Sequence, residues 1–151
     1  MIISSVTIEE LLQTLDDISC EYELHEGEVD GFCWVECDLF GAEFIIFPWG
    51  SGPFYQDFSL EAIRPAELDP EAMCTQFNKL HSFATATPFD LNEDGDDDIS
   101  DIGIAIRKQV SIDAGVSKDF LGSTLELWSG MLLHSLGFFE GTAVDAADGD
   151  E

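Results

Sequence analysis

Asp90, Asn92, Asp94 and Gly95 open the stretch DLNEDGDDDISD with the spacing of a calcium loop. Counted as a loop of twelve, Asp90–Asp101 offers oxygen donors at positions 1, 3, 5, 9 and 12 and a glycine at 6, where such a loop turns sharply. Calcium takes about six to eight oxygens, and seven carboxylates crowd this stretch. Three features oppose a dedicated site. Asp101 replaces the usual bidentate Glu and is one methylene shorter, and Asp97 occupies the position that is normally apolar. The flanks also read as strands, whereas an EF-hand loop joins two helices. Asp94-Gly95 between alternating segments signals a tight hairpin turn. A solvated hairpin tip with weak, nonspecific cation binding is the favoured reading. A calcium-responsive protein is the alternative.

His25, His81 and His134 are scattered and share no motif. Cys20, Cys33, Cys37 and Cys74 form no CxxC and no zinc-type Cys/His spacing, so buried free thiols are expected. GxSxG, Walker, HExxH and GxGxxG patterns are absent from the sequence. The carboxylates are too numerous for one pair to stand out as acid and base. The expectation is a non-catalytic protein without a catalytic residue, metal site or cofactor; an enzyme of unrecognised type is a further alternative.

Two apolar sets suggest binding instead. In FCWVECDLF, Cys33, Val35, Cys37 and Leu39 share one strand face, and Phe32, Trp34, Glu36, Asp38 and Phe40 share the other. If the first set faces the helices, Phe32, Trp34 and Phe40 lie on the outer sheet face as anchors for a partner. The second set is on the last helix. Leu121, Leu125, Trp128, Leu132 and Leu136 form its main stripe, and Phe120, Leu127 and Met131 widen it. A helix with so broad an apolar arc serves both a core and a partner.

The elements that position these residues follow from local chemistry. Thr7-Ile8-Glu9-Glu10 is a capping box, and Ile8, Leu11, Leu12, Leu15 and Ile18 have helical spacing; this helix should end near Ser19. Cys20, Tyr22 and Leu24 alternate with Glu21, Glu23 and His25 as a half-exposed strand, and HEGEVDG turns the chain. After FCWVECDLF and a short Gly41-Ala42 connection, EFIIFPW reads as a strand, with Pro48 marking an edge or the strand's end. FYQDFSLEAI is a further short strand. Asp69 caps a second helix whose first residue is Pro70. SFATATPFDL and the alternating Ile102–Ile112 segment are strands, and Ser117 is the expected cap of a third helix that stops at Gly137. The order is α-βββ(β)-α-ββ-α, an α+β domain with helices packed on an antiparallel sheet. It spans residues 1–139, followed by an acidic, disordered tail at 140–151.

Composition bounds the partner. Five Lys plus Arg face 32 Asp plus Glu, a formal charge of −27 that repels nucleic acid and anionic membranes. A basic partner, a cation or a salt-rich host each accounts for that charge. The N-terminus lacks the basic start and long apolar centre of a signal peptide, so a cytoplasmic location is expected.

MCTQFNKLHSFATA, NEDGD, IDAGVSKDFLGSTLELW and EELLQTLDDISCEYEL together resemble the bacterial YbjN family over most of residues 7–139. The acidic residues Asp96–Asp98 and the acidic tail depart from that pattern. The resemblance implies a fold like that of type III secretion chaperones, which are small, acidic, dimeric and non-enzymatic and hold segments of client proteins. It also implies a role as a sensory-transduction regulator. It supplies no active-site residues. The expected partners are a protein client, for which the acidic surface favours a basic one, and a second copy of the chain in a homodimer.

Overall fold

A computed structural model describes residues 2–27, 32–50, 52–65, 69–80, 83–90 and 102–148, without the side chains of 65, 80, 89, 90, 102 and 135–148. Its elements are β1 (Ile2–Ile3), α1 (Ile8–Asp17), β2 (Glu21–Glu26), β3 (Cys33–Leu39), β4 (Ala42–Trp49), β5 (Asp57–Pro65), α2 (Pro70–Leu80), β6 (Thr85–Asp90), β7 (Ile102–Ser111), β8 (Val116–Ser117) and α3 (Phe120–Asp148). The protein is α+β, with an open six-stranded antiparallel sheet in the order β2-β3-β4-β5-β7-β6. Two compact units divide the chain: residues 1–61 with 109–132, and residues 62–108 with 133–151.

In the first unit, α1 begins as its sequence dictates. The Glu10 N–H donates to Thr7 Oγ1 at 3.1 Å and the Thr7 N–H donates to Glu10 Oε1 at 2.9 Å, so two donors orphaned by the helix start are satisfied. Leu11 and Leu15 are buried beneath the helix, which is capped at Ile18. Strands β2, β3 and β4 form a meander with Glu23 opposite Glu36 and Cys37 opposite Phe44. The alternation of β3 holds: Cys33, Val35, Cys37 and Leu39 are buried. The core side of this unit is closed by Leu121, Leu125 and Trp128 of α3, and Trp128 meets Phe44 edge-on at 6.0 Å. Gly122 lets the helices approach, since a Cβ there would lie 3.3 Å from an Ile18 methyl.

In the second unit, Asp69 Oδ1 accepts from the Glu71 N–H at 3.1 Å, so the expected cap and the Pro70 start of α2 are both present. Met73, Cys74 and Phe77 are buried. Asn78 ties α2 to β6: its Nδ2 donates to the Ala86 carbonyl at 3.0 Å and its Oδ1 accepts the Ala86 N–H at 2.9 Å. Strands β6 and β7 pair antiparallel, with Asp90 opposite Ile102. Strands, not helices, therefore flank the acidic stretch; the hairpin turn expected at Asp94-Gly95 falls outside the described residues.

Several boundaries differ from the sequence expectation. Ser117 does not cap α3; it pairs with Ile2 in a small β1–β8 sheet, and Asp119 precedes the helix, its carbonyl accepting the Ser123 N–H at 3.0 Å. Helix α3 does not stop at Gly137 but runs to Asp148. A glycine inside a helix costs only about 1 kcal/mol and terminates it only where a left-handed residue is adopted. Pro48 is the penultimate residue of β4, a strand flanked on both sides by β3 and β5. The site tolerates it because it lies one residue from the strand's end, where a lost ladder hydrogen bond matters least. The β3–β4 connection is Phe40-Gly41, with φ of 60° and 90° between the paired Leu39 and Ala42. Two positive φ values make this a type I′ turn. Among the described residues, no helix is long and apolar enough to cross a membrane.

Candidate functional site

The outer face of β2–β5 in the first unit is built by strand alternation and register. With Cys33, Val35, Ile46, Phe58 and Leu60 turned into the core, the intervening residues must point the other way. Register then sets them in rows. Glu21, Asp38 and Glu43 form one row, and Glu23, Glu36, Ile45 and Glu61 form the next. Toward the other end of the strands stand His25 opposite Trp34, Phe47 opposite Ser59 and Trp49 opposite Asp57. No Lys or Arg precedes Arg64 in the sequence, so none occurs on β2, β3, β4 or this part of β5. The face is acidic at one end and aromatic at the other.

The aromatic end is ordered by ring contacts. His25 stacks on Trp34 with centroids 5.3 Å apart and planes 9° from parallel. Phe32 packs against the same Trp34 at 5.6 Å and is 48% exposed. Trp49, also exposed, donates from Nε1 to Ser59 Oγ at 2.6 Å, and Ser59 Oγ donates to Gln109 Oε1 at 2.8 Å. These contacts hold large rings in fixed orientations, which lowers the entropy lost when a partner docks on them.

The structure brings together only part of the residue set expected from the sequence. Phe32 and Trp34 form one cluster on the outer face, as expected. Phe40 does not join it: the I′ turn takes this residue out of the strand alternation and leaves it 62% exposed at the hairpin tip. Phe120 and Met131 are half-buried and Leu127 is 64% exposed on α3. Because Trp128 of that helix packs on Phe44, α3 lies on the core side of the sheet, and its exposed residues belong to a different surface. Sequence reasoning missed Ile45, Phe47 and Trp49. EFIIFPW is apolar on both faces, so its period does not show which residues point outward. The signal that finds them is register with β3, which sets Ile45 beside Glu36.

Two other features of this unit have chemical character. A groove of about 640 Å³ runs between α1 and the start of α3 and is lined by Glu10, Thr14, Lys118, Asp119, Ser123 and Glu126 among others. Its lining contains neither His nor Cys. The second feature is the thiol pair Cys20 and Cys37, both free and buried. A hydrogen bond from Cys37 pulls the Cys20 thiol below its ordinary value against the opposing effect of burial. The same bond, aided by burial, pushes Cys37 up. Burial pushes Cys33 and Cys74 up as well.

No protein-family model matches this chain, and no curated protein or solved structure matches it either.

Proposed function

We propose that the protein is a non-catalytic, chaperone-like binding module or regulator of the YbjN type, whose client is an extended protein segment carrying both basic and apolar side chains. One observation carries the reading. The outer face sets fixed aromatic rings beside rows of carboxylates on β2, β3, β4 and the 57–61 part of β5, where no Lys or Arg occurs. An extended segment alternates its side chains, so its apolar residues can meet Trp34, Phe32 and Phe47 while its Lys or Arg residues reach Glu23, Glu36 and Asp38. Aromatic anchors supply most of the binding energy at such surfaces, and complementary charge supplies steering and register. Strand β2 is an edge of the sheet, which offers the segment backbone partners as well.

The same charge argument bears on the expected homodimer. A twofold contact through this face would set carboxylates against carboxylates, so a second copy is better accommodated on the α3 side, where Leu127 is exposed. The test is calorimetry with a synthetic peptide of alternating Lys and Phe or Leu, against the same peptide with Glu in place of Lys. The reading expects the basic peptide alone to bind, with an affinity that falls roughly tenfold between low and high salt and again on Trp34→Ala. Equal binding of both peptides, or full binding by the Trp34 variant, would overturn it.

A further inference from the structure

We infer that Glu23, His25 and Glu36 form a binding site for one first-row divalent cation, with zinc as the type. The site goes beyond the protein-binding reading and does not rest on it; it shares Glu23 and Glu36 with that surface, so a bound cation would compete there with a client's basic side chains. Glu23 and His25 are two apart on β2 and so share a face; Glu36 of β3 lies directly opposite Glu23. One potential ligand atom from each of the three residues lies within 4.8 Å of the others. His25 Nε2 is 3.2 Å from Glu36 Oε1 and 3.9 Å from Glu23 Oε2. Neighbouring ligand atoms on a tetrahedral zinc with bonds near 2.0–2.1 Å stand about 3.4 Å apart. One pair already has that spacing, and Glu23, whose side chain is 73% exposed, needs only a small rotation to match it.

The state of His25 Nε2 is the independent observation. This atom is shielded from solvent and makes no hydrogen bond, although Glu36 Oε1 is near enough for an ion pair. Distance permits the bond and the N–H direction does not. Stacking on Trp34 fixes the ring plane and hence the direction of the Nε2 lone pair. Like charges directly opposite one another across a sheet are destabilising, and Glu23 and Glu36 are such a pair; a divalent cation between them removes that cost. Imidazole with two carboxylates suits zinc, cobalt or manganese, with water completing the shell.

The test is titration of the full chain with Co²⁺, followed by visible absorption, and with Zn²⁺, followed by calorimetry, in 0.15 M salt with excess Mg²⁺. Excess Mg²⁺ occupies the diffuse acidic surface without filling an imidazole site. The proposal expects one equivalent bound, with a cobalt d–d band, and a loss of roughly tenfold or more in affinity for both His25→Gln and Glu23→Gln. Glu23 is too exposed for its substitution to act through unfolding. Glu9→Gln on α1, which removes the same charge elsewhere, leaves the affinity unchanged. An affinity that is the same in wild type and His25→Gln, or that Glu9→Gln lowers as much as Glu23→Gln, would overturn the proposal.

Discussion

Replacing Asn78 should loosen α2 from β6 by an amount that the structure fixes. The Asn78 amide takes both backbone groups of Ala86, at 3.0 Å and 2.9 Å, and Ala86 is only 1% exposed. Each hydrogen bond contributes about 0.5–1.5 kcal/mol net, and a donor or acceptor left buried without a partner costs about 1–3 kcal/mol. Asn78 itself is exposed, so water can reach the vacated positions and the lower part of that range applies. The expected cost of Asn78→Ala is therefore about 2 kcal/mol, or roughly 4–8 °C in Tm for a chain of this size. Asn78→Asp keeps an acceptor for the Ala86 N–H but loses the donor to its carbonyl, so it should also destabilise the protein. Urea unfolding measures the energy, and amide hydrogen exchange locates it: the Ala86 N–H should exchange faster in Asn78→Ala while Leu15 in α1 keeps its protection. An unfolding midpoint equal to wild type, or an unchanged Ala86 exchange rate, would refute the reasoning.

Thr7→Ala removes the reciprocal cap of α1 and should cost about 1 kcal/mol in the same urea assay, with Thr7→Ser nearly neutral. The thiols should also shape the alkaline limb of stability. Cys33, Cys37 and Cys74 have folded values raised above the unfolded thiol, so stability is full below the unfolded thiol value and falls as pH rises beyond it. A urea midpoint that is flat from pH 7 into the alkaline range beyond the free-thiol value would contradict this. In the native protein iodoacetamide should modify Cys20 before the other three, because Cys20 alone is shifted toward thiolate; first labelling at Cys33 or Cys74, read by mass spectrometry, would count against that assignment.

Local chemistry made much of the architecture legible. Thr7 and Glu10, and Asp69, satisfy helix donors through their own side chains, and Pro70 has no N–H to satisfy, so three or four residues suffice to place a helix start. Alternation in CWVECDL resolves the two faces of β3 because polar and apolar residues are segregated there. Where a boundary depends on distant pairing, the sequence misleads. Ser117 has the chemistry of a cap but is taken by Ile2, more than a hundred residues away. Phe40 leaves its strand face because the hairpin closes as a two-residue turn, a geometry in which Asn would be the expected residue and Phe is not.

The candidate sites show the same division. Glu23 and His25 were visible as one exposed face of β2, and Glu36 as part of the outer face of β3. Their meeting depends on a register in which residue numbers of paired positions sum to a constant across β2 and β3, and the turn between those strands does not reveal it. The acidity of the chain is evident from composition, but the gathering of carboxylates in rows beside Trp34 is a product of pairing.

The central claim is that the outer sheet face, and not the helical side, receives a basic, apolar-bearing segment. Backbone and side-chain NMR shift mapping with the alternating Lys and Phe peptide addresses it most directly. The account predicts saturable shifts at His25, Trp34, Glu36, Ile45 and Phe47, with Thr14, Ser123 and Glu126 of the α1–α3 groove unmoved. Shifts confined to that groove, or none at any peptide concentration in physiological salt, would contradict it.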